Sequence, residues 1–242
     1  DTLAQHYGAG LRLLDFSAAP EEARVTINDW VSEQTEGKIK DLIPQGAIDI
    51  LTRLVLTNAI YFNAAWAEPF EVDRTEDGPF HALDGEPVMV PMMHQTAAFG
   101  YAERQGYQVV ELPYDGHELS MVILLPDMGQ FTDIEAALDV QEIAGVFEAL
   151  RDRQVALTMP KFKVESSFSL VDALTALGMP SAFSSEAANF SGMDGTHDLL
   201  ITNVLHKAFV DVDEAGTEAA AATAVIVSLE SAMPAEPVEV TV

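Results

Sequence analysis

The chain of 242 residues carries 39 acidic and 12 basic side chains, for a formal net charge of −27. Nucleic acid and anionic membranes attract clusters of Lys and Arg, so this charge argues against either as a partner. Cysteine is absent, which excludes a disulfide framework, a thiol nucleophile and a thiolate metal site.

The rest of the composition is that of an acidic protein whose apolar residues, 48% of the chain, suffice for a sizeable core. The acidic excess fits either a well-solvated surface or adaptation to high salt, where ions screen self-repulsion. No stretch reaches the roughly 18 apolar residues that a membrane span needs. Because the chain begins with Asp1 and not with Met, we expect a fragment or a processed product. The location is therefore not set by the sequence, and an extracellular one is favoured.

Residues 11–62 predict a strand, a helix and a longer strand. The first strand-like pattern covers residues 11–16. A helix begins near Pro20, which suits a first turn, and ends at Gly37. Its predicted inner face comprises Ala23, Ile27, Trp30, Val31 and Gln34. Residues 51–62 are almost continuously apolar, which is typical of a central strand covered on both faces.

The remainder of the chain alternates short strands with helices. Predicted strands lie within residues 79–126, most clearly at 119–125, and at 155–159 and 199–212; predicted helices lie at 133–150 and 168–177. Mixed helices and mostly antiparallel strands predict the α+β class. Neither a repeat nor a Gly/Ser linker divides the sequence, so residues 1–242 are predicted to form a single domain.

Residues 213–229 combine two conflicting local preferences. An alanine run that favours helix is followed directly by valines and an isoleucine that favour a strand. In an extended conformation, alternate side chains share one face: Thr217, Ala219, Ala221, Thr223, Val225, Val227 and Leu229. None of these is charged, proline or a bulky aromatic residue, so this face could enter the middle of a sheet.

The sequence lacks the residue patterns typical of an active site. There is no Gly-x-Ser-x-Gly elbow, no His-Glu-x-x-His zinc motif and no P-loop. The six histidines show no metal-ligand spacing, and close carboxylate pairs are expected by chance among 39 acidic residues. We therefore predict no enzyme activity, no cofactor and no metal site.

Several blocks, in order along the whole chain, resemble the serpin family of serine protease inhibitors. They are residues 28–31 (Asn-Asp-Trp-Val), 35–39, 56–62 (Leu-Thr-Asn-Ala-Ile-Tyr-Phe), 111–114, 159–162, 189–193, 204–208 and 213–223. The resemblance implies the serpin fold, with a large, mostly antiparallel central sheet, smaller sheets, packed helices and an exposed reactive-centre loop. It also implies that residues 1–242 form one incomplete serpin domain, without the N-terminal helices and the last two strands. Those missing segments would be needed to complete the fold.

The resemblance further implies an inhibitor that acts as a suicide substrate. Residues 214–238 would form the hinge and the reactive-centre loop. Residues 224–236 would be the part of the loop that a serine protease recognises and attacks. The protease serine would form an acyl-enzyme, and the cleaved loop would insert between the strands at 51–62 and 199–212. The hinge residues matching inhibitory members are Glu214, Gly216, Thr217, Glu218, Ala219, Ala220, Ala221, Ala222 and Thr223.

Four further residues match family positions that control opening of the main sheet. Asn58 and His206 match a pair that bonds across the opening, although a satisfied core histidine is an equally good reading of His206. Lys161 matches the partner of Glu214 in an ion pair, for which a solvated surface pair is the alternative. Trp66 matches the aromatic residue beneath the point where the loop enters.

The scissile bond is left open between two positions. Counting from Glu214 with the commonest loop length places it at Glu230–Ser231, which suits a Glu-preferring protease. A bond at Leu229–Glu230 suits chymotrypsin-like or elastase-like enzymes. We expect an uncleaved loop, because the chain continues beyond both positions.

Two functions are consistent with the implied fold. The first is inhibition of a serine-type endopeptidase, and the second is a non-inhibitory carrier, chaperone or storage role. Bulky, charged or proline residues on the inward hinge face would indicate the second. The small residues at Thr217, Ala219, Ala221 and Thr223 favour the first.

Overall fold

The computed structural model describes residues 12–83, 86–217 and 236–242. The chain divides into two compact units, one formed by Asp1–Tyr61 with Val164–Phe209 and the other by Phe62–Lys163 with Val210–Val242. The single domain stays a prediction. Within the described residues, no helix combines the length and the apolar character needed to cross a bilayer.

The described residues form helices, strands and two short 3-10 turns. The helices are α1 (Pro20–Gln34), α2 (Phe131–Ala137), α3 (Val140–Ala149), α4 (Val171–Ala176) and α5 (Ser191–Asp194), and the 3-10 turns are Val72–Arg74 and Pro180–Phe183. The strands are β1 (Leu54–Tyr61), β2 (Ala64–Ala65), β3 (Glu76–Phe80), β4 (Val88–Arg104), β5 (Tyr107–Pro113), β6 (Ser120–Pro126), β7 (Arg151–Pro160), β8 (Phe162–Ser169), β9 (Ile201–Val212), β10 (Gly216–Thr217) and β11 (Val238–Thr241). The predicted α+β class is confirmed.

Helix α1 begins at Pro20 as predicted, but its buried face differs from the predicted one. Trp30, which is 38% exposed, and Gln34 face solvent. Asn28 is buried instead, because its amide donates to the carbonyl of Ile43 at 2.9 Å and accepts from the Ile43 N–H at 2.8 Å. The helix ends at Gln34, before Gly37.

The first unit is organised around the parallel pairing of β1 with β9. Their partners run from Leu54 opposite Ile201 to Tyr61 opposite Phe209. One face of this pair packs with α1 and the segment after it in an apolar cluster whose buried members are Val31, Ile39, Leu42, Ile43, Ile48 and Phe209. The prediction that this strand is covered on both faces is wrong in the described residues, since Ile60 on the other face is 50% exposed.

The second unit contains a sheet in the order β11-β7-β4-β5-β6, with β3 also paired to β4. All its pairings are antiparallel except that of β11 with β7. Alternate residues of these strands form the core, which includes Met93, Phe99, Val110, Leu112, Val155, Leu157 and Met159. Successive side chains of a strand point to opposite faces, so alternate residues of these strands meet in one core.

Several predicted boundaries are wrong for local reasons. Residues 12–16 form no strand. The helix predicted at 133–150 is interrupted, because the Asp139 carboxylate accepts from the N–H groups of Gln141 and Glu142 and so caps a new helix. Strand β7 is longer than the predicted 155–159, and most of the predicted helix at 168–177 remains as the short α4.

Candidate hinge site and sheet-opening pair

Asp213–Thr217, which contains the described part of the predicted hinge, is a tight reversal of the chain. The Asp213 N–H donates to the Gly216 carbonyl at 3.0 Å, and the Asp213 carboxylate accepts from the Ala215 N–H at 2.8 Å. Gly216 has a φ of 155°, a conformation that residues with a Cβ rarely adopt. The glycine therefore permits the chain to turn back directly after β9.

After this turn, β10 lies between the end of β9 and β2. Thr217 pairs with Val212 of β9, and Gly216 and Thr217 pair with Ala65 and Ala64 of β2. Both pairings are antiparallel. Thr217 is 1% exposed, so the first inward-facing residue of the predicted hinge lies within the sheet.

Trp66 forms one wall of this position and is 3% exposed. Its indole Nε1–H donates to the Asp213 carbonyl at 2.9 Å, and its backbone N–H donates to the Ala215 carbonyl at 3.0 Å. The indole stacks on Tyr114 with 4.7 Å between the ring centroids and 7° between the planes. The Tyr114 hydroxyl lies 2.7 Å from Thr217 Oγ1.

Glu214 is held by two side chains although it is only 6% exposed. Lys161 Nζ lies 2.7 Å from Glu214 Oε2, and the Thr75 hydroxyl donates to Oε1 at 2.7 Å. Burial alone would raise the pKa of Glu214, but the hydrogen bonds from Lys161 and Thr75 outweigh it and lower the pKa below the ordinary value. The carboxylate is therefore ionised at neutral pH.

Asn58 and His206 meet in the first unit. They are cross-strand partners on β1 and β9, and Asn58 Nδ2 lies 3.1 Å from His206 Nδ1. The ring of Phe168 lies 5.0 Å from the His206 ring. This hydrogen bond is solvent-exposed in the described chain.

The other predicted site residues lie outside the described residues. These are the hinge residues Glu218, Ala219, Ala220, Ala221, Ala222 and Thr223, and the candidate scissile positions Leu229, Glu230 and Ser231. The described chain resumes before β11, which pairs with β7 in parallel. Among the residues that the structure describes, no cluster of His, Asp and Glu could hold a metal ion.

Sequence reasoning missed two residues of the hinge site, Thr75 and Tyr114. Tyr114 stands in the block at 111–114, one of those that carry the family resemblance, but its contact with Thr217 joins residues 103 positions apart. Thr75 carries no sequence signal, because a threonine after a short turn has many possible roles. Neither contact could be found without the fold.

The chain matches a family model along residues 1–242, and that model is described as serpin (serine protease inhibitor). The chain belongs to the serpin family. This confirms the resemblance on which the predicted fold rests.

Two relatives illustrate the extent of the similarity. This serpin is 44% identical over 241 residues to a leukocyte elastase inhibitor of Equus caballus, covering 95% of the chain and 63% of the relative. It is also 44% identical over 220 residues to an uncharacterized serpin-like protein of Thermococcus kodakarensis, covering 91% of the chain and 50% of the relative. The chain thus spans about half to two thirds of the length of these relatives.

A solved structure supports the same fold. The serpin chain superimposes on uncleaved ovalbumin with a TM-score of 0.86 at 29% sequence identity, covering 99% of this chain and 61% of ovalbumin. The predicted serpin fold is therefore confirmed.

Proposed function

We propose that this serpin inhibits a serine-type endopeptidase as a suicide substrate. The main support is the structure of the predicted hinge, where Gly216–Thr217 forms a short strand antiparallel to its neighbours. The protease serine attacks the scissile carbonyl and forms an acyl-enzyme. The freed loop then continues the strand begun at Thr217 and carries the acylated protease with it, so that deacylation fails.

The pairing of the two long strands fits an uncleaved state. β1 and β9 are bonded directly to each other, and no described strand lies between them over residues 54–61 and 201–209. An inserted strand antiparallel to both would replace one parallel ladder with two antiparallel ladders, which are slightly more stable per residue.

The side chains of the loop also favour insertion. Burying Val225, Val227 and Leu229 stabilises the inserted form by ~1.5–3 kcal/mol each, and each ladder hydrogen bond adds ~1 kcal/mol. A dozen residues thus release on the order of 10 kcal/mol, comparable to the ~5–15 kcal/mol stability of a whole domain. The uninserted protein is therefore metastable.

The remaining site residues have roles in controlling this transition. Trp66 and Lys161 hold the turn from which the loop starts, through Asp213 and Glu214. Asn58 and His206 link β1 to β9, the strands that must separate. Their hydrogen bond opposes opening before cleavage.

The partner is a serine protease whose class depends on the scissile bond. Glu230–Ser231 selects a Glu-preferring enzyme, and Leu229–Glu230 selects a chymotrypsin-like or elastase-like one. Pro234 disfavours cleavage at Met233.

The test uses the full-length natural protein mixed with chymotrypsin, elastase or a Glu-specific protease. We expect an adduct that survives SDS with at least one enzyme. The mass of the released C-terminal peptide identifies the bond, since the peptide begins at Glu230 or at Ser231. Complete loop cleavage by all three enzymes without an adduct would refute inhibition and favour the carrier, chaperone or storage role.

A further inference from the structure

The buried hydroxyl of Thr217 depends on a tyrosine from another part of the second unit. Thr217 Oγ1 and the Tyr114 hydroxyl are 2.7 Å apart in a buried hydrogen bond. A buried hydroxyl without a partner loses its hydration and gains no bond in return, so this bond decides whether Thr217 is stable within the sheet.

Tyr114 is itself held rigidly. Its ring stacks on Trp66 and meets Phe62 edge to face, with 5.1 Å between the centroids of Phe62 and Tyr114. Its backbone N–H donates to the Leu119 carbonyl at 2.9 Å. Burial raises the pKa of Tyr114, so that the hydroxyl stays protonated at neutral pH. The hydroxyl is consequently fixed in position and in protonation state.

The strand held by this hydroxyl has the direction needed for insertion. Thr217 is antiparallel to Val212 on one side and to Ala64 on the other. A chain that continues in this direction adds residues to a strand that has already begun. Starting an ordered segment is the unfavourable step, because several dihedral angles are fixed before many bonds form.

We propose that Tyr114 is a positioning residue that seats Thr217 as the first residue of the inserted strand before the loop is cleaved. This inference rests on the proposed inhibitory function. Once the acyl-enzyme forms, insertion competes with deacylation. Because Thr217 is already paired in the sheet, insertion needs no separate starting step. Insertion is then faster than deacylation, and the protease stays covalently bound.

The test is a double-mutant cycle in the full-length natural protein with Tyr114→Phe, Thr217→Val and the double variant. Each single change removes one hydroxyl of the pair and keeps the shape of the side chain. The readout is the ratio of cleaved inhibitor to covalent adduct. We expect each single variant to raise this ratio about five-fold or more, while the rate of the first attack by the protease changes less than about two-fold.

The interaction between the two residues gives the sharper result. Because both changes break the same bond, and the double variant leaves neither hydroxyl unpaired, it should be no more impaired than either single variant. Thr217→Ser retains a hydroxyl and should restore the wild-type ratio. Tyr101→Phe is the matched control, since this partly buried tyrosine belongs to the same unit but lies on β4, where its strand partners are Val110 and Arg151.

Hydrogen exchange separates this inference from the inhibitory function. In the uncleaved protein, Tyr114→Phe and Thr217→Val should each speed exchange in a peptide covering residues 213–217 about five-fold or more. Unchanged exchange, or effects that add in the double variant, would overturn the role of Tyr114 even if no protease forms an adduct. An adduct ratio unaffected by Tyr114→Phe would overturn it as well, whereas absence of adduct in the wild type would overturn only inhibition.

Discussion

The hinge in the second unit and the Asn58–His206 pair in the first unit are held in different ways. Thr217 and Glu214 are buried, and their side chains bond to Tyr114, Thr75 and Lys161. Asn58 and His206 share one exposed hydrogen bond. A buried polar group that loses its partner destabilises a protein more than an exposed one, which can bond to water. Changes at the hinge should therefore have larger effects than changes at the Asn58–His206 pair.

The largest effect is expected from Thr217→Arg. An unpaired guanidinium at a position that is 1% exposed costs several kcal/mol and blocks the start of insertion. The protein should then be cleaved as a substrate without trapping the protease, as measured by SDS gels of inhibitor and protease. Thr217→Ser should still trap. A stable adduct with Thr217→Arg would contradict the role of the hinge.

A smaller effect is expected from Lys161→Met, which leaves the buried Glu214 carboxylate without the cation that pairs with it. Since Lys161 is partly exposed, we expect a loss of about 1–3 kcal/mol in the free energy of unfolding at pH 7. Urea denaturation measures it. Lys40→Met removes the same charge from an exposed position and should change stability by less than about 0.5 kcal/mol. Equal losses in the two variants would show that the ion pair contributes nothing.

The same ion pair predicts a pH dependence. Because the folded protein lowers the pKa of Glu214, the stabilisation is fully present above the ordinary value of 4.5 and is lost as the pH falls below it. The stability difference between wild type and Lys161→Met should therefore be constant from pH 7 to about pH 5 and shrink at lower pH. Urea titrations at several pH values test this, and a difference that grows on acidification would be inconsistent with an ionised Glu214.

The smallest effect is expected from Asn58→Ala. Its bond to His206 is exposed, so we expect a loss of about 0.5–1 kcal/mol in the free energy of unfolding. Asn203→Ala, on the partner strand, serves as the control. A loss as large as that of Lys161→Met would contradict the expectation that changes at the hinge cost more stability than changes at the Asn58–His206 pair.

Much of the local structure could be predicted because it depends on neighbouring residues. Pro20 marks the start of α1, and the alternation after Gly216 places Thr217 on an inward face, where it is buried. The predicted burial of Trp30 is wrong, because the Asn28 amide makes two hydrogen bonds to the Ile43 backbone and these hold a polar side chain inward instead. Tyr114 was missed because only the folded sheet brings it to Thr217.

Whether loop cleavage drives insertion is decided by comparing the stability of the intact and the cleaved protein. The loop of the full-length natural protein is cut near Leu229 or Glu230, both chains are retained, and unfolding is followed in guanidinium. We expect cleavage to raise the free energy of unfolding by on the order of 10 kcal/mol. An unchanged or lower stability after cleavage would contradict it.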